Sequence, residues 1–279
     1  MGRDRPKLTV ATISKNEERD LPGFLSNFSV VADEIVIIDD DSDDATPDIA
    51  RAAGSKVRFV HAPRAPGEGF ADQRNKSIDA ATGDWLLHVD VDNRITPEFA
   101  RELLEAIGAQ EVDAFRYRRE QFLFQRPLHF GGMQHWNAPW LAKRGVARFE
   151  GLVHEQLRFS SDSPRFGQLE TPMWHLADAD FEERLNKNIL YSRLEAERAQ
   201  TNGKKISVLG ALGRSLLAAG KTYVWQQGFR DGRQGLVWAS YVLAGSLNRY
   251  LMQWERQEHS SREQLEEELA VRMKAAGLG

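Results

Sequence analysis

The alternation of short apolar runs with helical stretches over the first 110 residues is the feature that most restricts the fold. Apolar runs at residues 7–13, 34–38, 57–60 and 85–89 are each followed by a helical or turn-forming stretch. Strands and helices that alternate at this spacing are typical of a mostly parallel sheet with helices on both faces. We therefore expect an α/β fold.

Two of the predicted helices begin with a threonine that is followed by a proline. Thr46 precedes Pro47, and Thr96 precedes Pro97. Threonine is a favoured N-cap residue, and proline is favoured in the first helical turn. The sequence predicts that both threonines cap helices and that the second helix ends near Gly108.

Carboxylates follow two of the predicted strands. Residues 39–44 include five aspartates and follow the second strand, whereas Asp90 and Asp92 follow the fourth. Alternation along a strand places Asp90 and Asp92 on the same side, and ligands bind at the carboxyl ends of strands in open α/β sheets. Two carboxylates there suit Mg²⁺ or Mn²⁺ holding a diphosphate, and a solvated acidic turn is the alternative.

Other ionisable residues have a functional and a structural interpretation. Lys15 and Arg74 are candidates to face a phosphate, with a surface charge as the alternative for each. Glu155 lies in an apolar segment, where burial would favour its protonated form and suit a general base. The alternative is an edge-strand glutamate paired with Arg148 or Arg158.

Three histidines are candidates of unequal weight. His175 is the best available nitrogen ligand to complete a metal site begun by Asp92, although a hydrogen-bonded structural histidine is the commoner case. His154 is either a neighbouring ligand or an ordinary strand residue. His88 is excluded as a ligand because it lies one step deeper in the strand than Asp90.

Composition excludes several classes of protein. The chain has 279 residues, no cysteine and a net charge of −4, so disulfides and thiolate metal sites are impossible and general nucleic-acid binding is disfavoured. The amino terminus lacks a signal-peptide pattern, and no run of about twenty residues is apolar throughout. We expect a cytoplasmic protein.

The second half of the chain has a different pattern. Helical periodicity covers residues 181–199, with Asp178 or Asp180 as the cap, and residues 205–219. We expect a catalytic domain at residues 1–200, divided near residue 110 into a nucleotide-binding half and an acceptor half. A helical extension is expected at residues 201–279.

The carboxy-terminal extension contains an amphipathic helix whose partner is open. Its apolar stripe consists of Leu236, Leu243, Leu247, Tyr250, Leu251 and Trp254. Arginines around the stripe favour a membrane surface. The periodicity fits equally a helix packed on the catalytic domain or on a second subunit of a homodimer.

Four ordered motifs of the first hundred residues resemble those of the family 2 glycosyltransferases, which have the GT-A fold. The motifs are Asn16-Glu17-Glu18, Asp39-Asp40-Asp41-Ser42-Asp43-Asp44-Ala45-Thr46, Arg74-Asn75 before Ala81-Thr82-Gly83, and Asp90-Val91-Asp92. The resemblance implies a Rossmann-like sheet flanked by helices and an inverting transfer from a nucleotide-diphospho-sugar. One departure is Asp41, which stands where the family usually has a glycine.

The second half resembles a narrower group that adds glucose or related sugars to the lipopolysaccharide inner core. The motifs are residues 149–155, Asn186–Tyr191 and Gly228–Leu236. This resemblance implies UDP-glucose as donor, a lipid-linked glycan as acceptor and attachment to the inner face of the inner membrane. A capsule intermediate or a protein is the alternative acceptor.

The family resemblance assigns roles to individual residues. Asp39 and Asp40 would contact the base, Asp90 the ribose, and Glu155 would deprotonate the acceptor hydroxyl. The full nucleotide-sugar set is Thr12, Lys15, Asn16, Glu17, Asp39, Asp40, Arg74 and Asp90. The Mg²⁺ or Mn²⁺ ligands would be Asp92 and His175, and the acceptor contacts His154 and Trp136.

Two functions of other classes are alternatives to this one. A phospho-receiver signalling module also ends its strands in aspartates, but it leaves Asp90-Val91-Asp92, Glu155 and the long second half unexplained. A sugar-nucleotide-binding protein without catalysis is compatible with the same motifs.

Overall fold

The structure is a computed structural model that describes residues 5–108, 111–151, 155–178, 180–258 and 261–278. The chain divides into two compact units. The α/β unit comprises Met1–His129 and Met133–Ala177, and the helical unit comprises Phe130–Gly132 and Asp178–Gly279.

The α/β unit contains strands β1 to β12 and helices α1 to α4. The helices are α1 (Leu21–Phe28), α2 (Thr46–Ala52), α3 (Phe70–Ala80) and α4 (Pro97–Ala106). The first six strands are β1 (Leu8–Ser14), β2 (Glu34–Asp39), β3 (Val57–His61), β4 (Trp85–His88), β5 (Asn93–Arg94) and β6 (Ala114–Leu123). The others are β7 (Arg126–Leu128), β8 (Asn137–Lys143), β9 (Ala147–Glu150), β10 (Gln156–Phe159), β11 (Phe166–Gln168) and β12 (Met173–His175).

One ten-stranded sheet organises the α/β unit. Its strand order is β3-β2-β1-β4-β8-β6-β12-β5, with β7 and β11 also paired to β6. Strands β3, β2, β1 and β4 are parallel, β8 runs antiparallel to both of its neighbours, and β9 and β10 form a separate antiparallel pair. The α/β fold class predicted from the alternation of strands and helices is confirmed.

The parallel strands form because their side chains are apolar on both faces, as burial between helices requires. Strand β2 buries all four residues of Ile35–Ile38, and Leu8 and Val10 of β1 are fully buried. Helix α3 packs against β1 and β2, and α2 packs against β3. The predicted apolar runs agree with the first four strands to within one or two residues.

The two predicted threonine caps have different outcomes. The Thr96 side chain accepts a hydrogen bond from the backbone N–H of Phe99 and caps α4, as predicted. Thr46 is instead the first residue of α2, and its hydroxyl accepts the backbone N–H of Glu17 at 2.7 Å. The prediction for Thr46 was wrong because this hydroxyl joins two loops rather than the helix end.

A glycine before β4 lets two strands approach closely. A Cβ on Gly83 would lie 2.7 Å from Oγ1 of Thr9 and 2.9 Å from the backbone oxygen of Lys7. The Gly83 N–H donates to that threonine hydroxyl at 3.0 Å. The start of β4 is therefore held against β1 in a way that a side chain would obstruct.

The described residues of the helical unit form four α-helices. They are α5 (Phe181–Thr201), α6 (Val208–Gly220), α7 (Arg233–Glu258) and α8 (Arg262–Ala275). The amino termini of α5, α6 and α8 are capped by polar side chains: Asp180 accepts from Glu183 N–H, Ser207 from Gly210 N–H and Ser261 from Gln264 N–H. The cap of the first of these helices is thus Asp180, one of the two predicted residues.

Helix α7 packs against both α5 and α6. Five residues of the amphipathic stripe of α7 are half-buried within the unit, whereas the first of them, Leu236, is 55% exposed. On the same helix, Trp238 donates from Nε1 to the backbone oxygen of Gly131 at 3.1 Å. Within the described ranges, no helix has the length and hydropathy needed to cross a bilayer.

Candidate functional site

The carboxyl ends of β1, β2 and β4 meet at one edge of the sheet. Ser14 at the end of β1 pairs in register with Asp39 at the end of β2, and β4 continues the parallel arrangement on the other side of β1. The chain then turns through Asp90 and Asp92. The polar residues predicted to cluster at this edge are brought there by parallel strand pairing.

Asp39 is completely buried and fully engaged. One carboxylate oxygen accepts from the hydroxyls of Ser14 at 2.9 Å and Ser42 at 2.6 Å. The other oxygen accepts from the backbone N–H of Ser42 at 3.0 Å. Asp39 therefore fixes the loop after β2.

Asp41 adopts a left-handed backbone conformation, with φ of 61°. This is the position at which the family motif usually has a glycine. Aspartate and asparagine enter this region more readily than other residues that carry a Cβ. Asp41 therefore supplies the turn that the missing glycine would have supplied, and it also adds a 71% exposed carboxylate to the edge.

The loop after β1 is tied to the loop after β2 by reciprocal hydrogen bonds. Asn16, also left-handed with φ of 57°, donates its N–H to the Ser42 hydroxyl at 2.8 Å and accepts the Asp43 N–H at 3.0 Å. Ala45 donates its N–H to the Glu18 carboxylate at 3.0 Å. The two motifs recognised in the sequence thus form one preorganised surface.

Asp40 is held by a residue that the sequence analysis missed, Arg64. The backbone N–H and Nε of Arg64 donate to the two Asp40 oxygens at 2.8 and 2.7 Å. Burial alone would raise the pKa of Asp40, but these hydrogen bonds and the charges of Arg64 and Lys15 hold its pKa below the ordinary value. Lys15 also donates to the Asp40 backbone oxygen at 2.8 Å.

Two buried arginines clamp Asp90. Nη2 of Arg74 donates to Oδ1 at 2.6 Å, and Nη2 of Arg119 lies 2.8 Å from Oδ2 without hydrogen-bond geometry. Burial opposes ionisation, but the charges of Arg119 and Arg74 keep the pKa of Asp90 well below its usual range. Asp90 is therefore an anion with both oxygens committed to protein cations.

Arg74 joins Asp90 to Glu155. Its Nε donates to Oε1 of Glu155 at 2.9 Å, and its guanidinium lies 4.4 Å from the ring centre of Trp140. The alternative partners considered for Glu155 are both engaged elsewhere, Arg148 with Asp79 and Arg158 with Glu150. The Glu155 carboxylate is thus held by Arg74 beside the Asp90 cluster. His154 lies outside the described residues.

Asp90, Asp92 and His175 form a group that could hold a metal ion, with one donor atom from each lying within 4.8 Å of the others. Nε2 of His175 is 3.1 Å from Oδ2 of Asp92, and Nδ1 lies 2.5 Å from Oε1 of Gln121. A histidine oriented by an amide on its other nitrogen is usual for metal ligands. Because the arginines occupy Asp90, the freer donors are Asp92 and His175, and they fit Mn²⁺ or Mg²⁺.

The remaining residues singled out in the sequence have other partners. Trp136 is half-buried, with the Arg119 guanidinium 4.0 Å from its ring centre. Thr12 is buried in β1, and its hydroxyl donates to the backbone oxygen of Ile13 at 3.3 Å. His88 is buried against the edge of Phe149, in keeping with its exclusion as a ligand.

Sequence reasoning missed Arg119 and Gln121, although a signal for both existed. They occupy alternate positions of β6 with Tyr117, and all three are buried. Buried polar side chains at every second position of a strand indicate one face turned toward a polar site. Neither Arg119 nor Gln121 belongs to one of the motifs recognised in the sequence, so this spacing was not used.

The sequence and fold are similar to those of several known proteins. The sequence model of glycosyl transferase family 2 matches residues 9–159. An uncharacterized glycosyltransferase of Rickettsia typhi is 24% identical over 213 residues, which cover 72% of this chain and 70% of that protein. A TPR repeat-containing protein of Synechococcus elongatus is 34% identical over 121 residues, or 43% of this chain and 29% of that one.

Similar solved structures include residues 1–349 of S. aureus TarS, with a TM-score of 0.47, 16% identity, and coverage of 92% of this chain and 93% of that chain. Another is glucosyl-3-phosphoglycerate synthase of Mycobacterium tuberculosis with Mn²⁺, UDP and glucosyl-3-phosphoglycerate. It has a TM-score of 0.33, 22% identity, and coverage of 42% of this chain and 44% of that chain. Since the family model spans more than half of the sequence, the chain belongs to glycosyl transferase family 2.

Proposed function

We propose that the chain transfers a sugar, with inversion, from a nucleotide-diphospho-sugar to a glycan acceptor in a reaction that depends on Mg²⁺ or Mn²⁺. The observation that carries this proposal is the joining of Glu155, Arg74 and Asp90 by ion pairs at the same edge as the Asp92–His175 pair. A general base and a metal-binding pair are then neighbours, as a single displacement requires.

In the proposed reaction the acceptor hydroxyl oxygen forms a bond to the anomeric carbon while the bond from that carbon to the diphosphate oxygen breaks. Glu155 takes the hydroxyl proton, and the nucleoside diphosphate leaves with the bonding electron pair. A bound divalent ion would stabilise the charge that grows on the leaving phosphate. No covalent intermediate on the protein is needed.

Other residues of the site would bind the donor, position Glu155 and contact the acceptor. Asp39 and the loops it holds would present the base-binding surface, with Asp40 and its partner Arg64 beside it. Arg74 would keep the Glu155 carboxylate in place, and the contacts of Arg74 and Lys15 with the phosphates remain predictions. Trp136 and His154 keep their proposed place on the acceptor side.

UDP-glucose as donor and the lipopolysaccharide inner core as acceptor are the specific form of the proposal. They rest on the motifs of the second half of the chain, including Asn186–Tyr191 and Gly228–Leu236. Transfer of labelled glucose to core oligosaccharide, with capsule fragments and peptides as competing acceptors, tests this form. Preference for either competitor would replace the acceptor without altering the proposed chemistry.

Attachment to a membrane surface also belongs to the proposal, and we expect it at α6 and Trp225 rather than at the stripe of α7. The most exposed apolar side chains of the helical unit are Leu209 and Leu217 of α6 and Trp225, which are 74–83% exposed. Most of the stripe of α7 is half-buried instead, with Leu236 as its exposed member. Co-sedimentation with phospholipid vesicles should therefore weaken in Trp225→Ser, and unchanged binding would contradict this location.

Glu155→Gln is the decisive variant for catalysis. We expect release of UDP from UDP-glucose and transfer to acceptor to fall by roughly 10²–10⁴-fold because the amide cannot take the proton. Stabilisation by UDP with Mn²⁺ in a thermal shift assay should be retained. Equal turnover in the variant would remove Glu155 as base, and wild-type binding of UDP without any turnover would favour the non-catalytic alternative.

Asp92→Asn tests the metal assignment in the same assay. We expect the Mn²⁺-dependent part of the UDP-induced thermal shift to disappear because a charged ligand is lost. Asp48→Asn is the matched control, since Asp48 is an 88% exposed carboxylate on α2. An unchanged Mn²⁺ titration in Asp92→Asn would contradict the assignment.

A further inference from the structure

The helical unit contains a cavity of about 600 Å³ among α5, α6 and α7. Cavities of this volume are in the range of small-molecule binding sites. All of its lining residues belong to the helical unit, and none belongs to the candidate site of the α/β unit. The cavity is therefore a feature that the proposed transfer reaction does not explain.

Positive charge dominates the lining of the cavity. Five cationic side chains and one carboxylate, that of Glu195, contribute to it. Glu195 is already paired with Arg249 at 2.7 Å. The other four cations have no carboxylate within 4.0 Å in the part of the chain that the structure describes: Arg198, Lys204, Lys205 and Arg214.

One arginine of the cavity also has a hydrogen-bond donor that is not used. Nε of Arg249 is buried and has no hydrogen-bond partner among the described residues. The guanidinium groups of Arg249 and Arg214 lie 4.5 and 5.8 Å from the ring centre of Tyr250, so one aromatic ring supports both. Stacking on a ring limits the rotamers of an arginine and leaves the edge of the guanidinium to donate.

We propose that this cavity binds a phosphate group of at least two negative charges. Several arginine and lysine donors around one volume match the charge and the multiple acceptor oxygens of phosphate better than those of a single carboxylate. The group can be carried by a soluble phosphate ester or by a phospholipid headgroup, which share this chemistry. The site does not depend on the proposed transfer reaction.

Isothermal titration of the full chain with inorganic pyrophosphate, in EDTA, tests the site. The variant is Lys205→Gln/Arg214→Gln, which removes two charges from exposed side chains that pair with no described carboxylate. We expect wild type to bind pyrophosphate and the variant to bind it at least about tenfold more weakly, because two charge-assisted contacts are lost.

The matched control is Arg262→Gln/Arg272→Gln, which removes two charges from α8 outside the cavity. We expect it to bind pyrophosphate like wild type. No pyrophosphate binding by wild type, or equal weakening in both double variants, would overturn the site in favour of unspecific attraction. Lys205→Arg/Arg214→Lys keeps the charges and should retain binding.

The source of the phosphate is resolved with two further probes. Glucose 6-phosphate represents a soluble ester, and phosphatidylcholine vesicles with and without phosphatidic acid represent a headgroup. If wild type binds one of these probes and Lys205→Gln/Arg214→Gln does not, the result supports the site and identifies the source of the phosphate. If wild type binds neither probe, the proposed site is overturned. The UDP and Mn²⁺ thermal shift should be unchanged in this variant, so failure here and failure of the donor site are distinguishable.

Discussion

Both units of this chain gather arginines around aromatic rings, but they neutralise the charge in opposite ways. In the α/β unit, Arg74 and Arg119 are 5% and 6% exposed and share the carboxylates of Asp90 and Glu155. In the helical cavity, Arg249 is 35% exposed and has the single carboxylate of Glu195. A buried charge must be paired within the protein, because it has lost its hydration. An exposed charge is stabilised by water and remains able to bind a ligand.

This difference indicates what each cluster is suited to do. The arginines of the α/β unit hold carboxylates in fixed positions, which suits a site that must be organised before its substrate arrives. The cavity of the helical unit retains an excess of positive charge among the described residues, which suits the capture of an anion. The following predictions test whether the difference in burial causes the two arginine clusters to contribute differently to stability.

Arg74→Met should have the largest effect on stability. Removing the guanidinium leaves Glu155 and one oxygen of Asp90 without their partner, and breaking a buried pair costs about 3–5 kcal/mol. The free energy of unfolding from urea denaturation, followed by far-UV circular dichroism, measures this loss. Arg51→Met is the control, because its pair with Asp48 is exposed. A loss below about 1 kcal/mol in Arg74→Met would contradict the difference proposed between the buried and the exposed arginine cluster.

His88→Leu should change the pH dependence of stability. Burial and the charge of Arg74 lower the pKa of His88 from 6.5 to about 3, so below pH 6.5 the unfolded chain binds a proton that the folded chain does not. Wild type should therefore lose up to about 1.4 kcal/mol per pH unit more than the variant as pH falls from 6.5 toward 4.

The same series of urea titrations contains its own control. Above pH 7 His88 is neutral in both states, so wild type and variant should have parallel stability profiles there. If the free energies of unfolding of wild type and variant changed in parallel throughout the acid range, the lowered pKa of His88 would be contradicted. That result would also indicate that the positive charge of Arg74 does not lower the pKa of His88.

Arg249→Gln should have the smallest effect on stability. The pair of Arg249 with Glu195 is 35% and 50% exposed, and exposed pairs contribute roughly 0–1 kcal/mol. The free energy of unfolding should therefore stay within about 1 kcal/mol of wild type, while pyrophosphate binding falls. A loss as large as that of Arg74→Met would make the cavity arginine structural and remove the distinction between the clusters.

Much of the α/β unit could be predicted because its signals are local. The apolar runs of the first four strands, the turns between them and the cap at Thr96 are each encoded in a few neighbouring residues. The strand ends then follow, because parallel strands bring their carboxyl ends to one edge. Asp39, Asp90 and Asp92 were found in this way.

The partners of these residues could not be predicted, because they come from distant parts of the chain. Arg119, Arg64 and Gln121 carry no motif, and their importance arises from contacts with Asp90, Asp40 and His175. The cavity in the helical unit is of the same kind, since Lys205, Arg214 and Arg249 are brought together only by helix packing.

The class of fold, the family and the edge of the sheet at which carboxylates gather could all be inferred from the amino-acid sequence. These follow from periodicity and from short motifs, which act over a few residues. Three features became visible in the folded chain alone: which cation neutralises which carboxylate, the left-handed turn that Asp41 takes in place of glycine, and the packing of α7 against α5 and α6. Those outcomes depend on burial and distance between remote segments, and no local pattern encodes them.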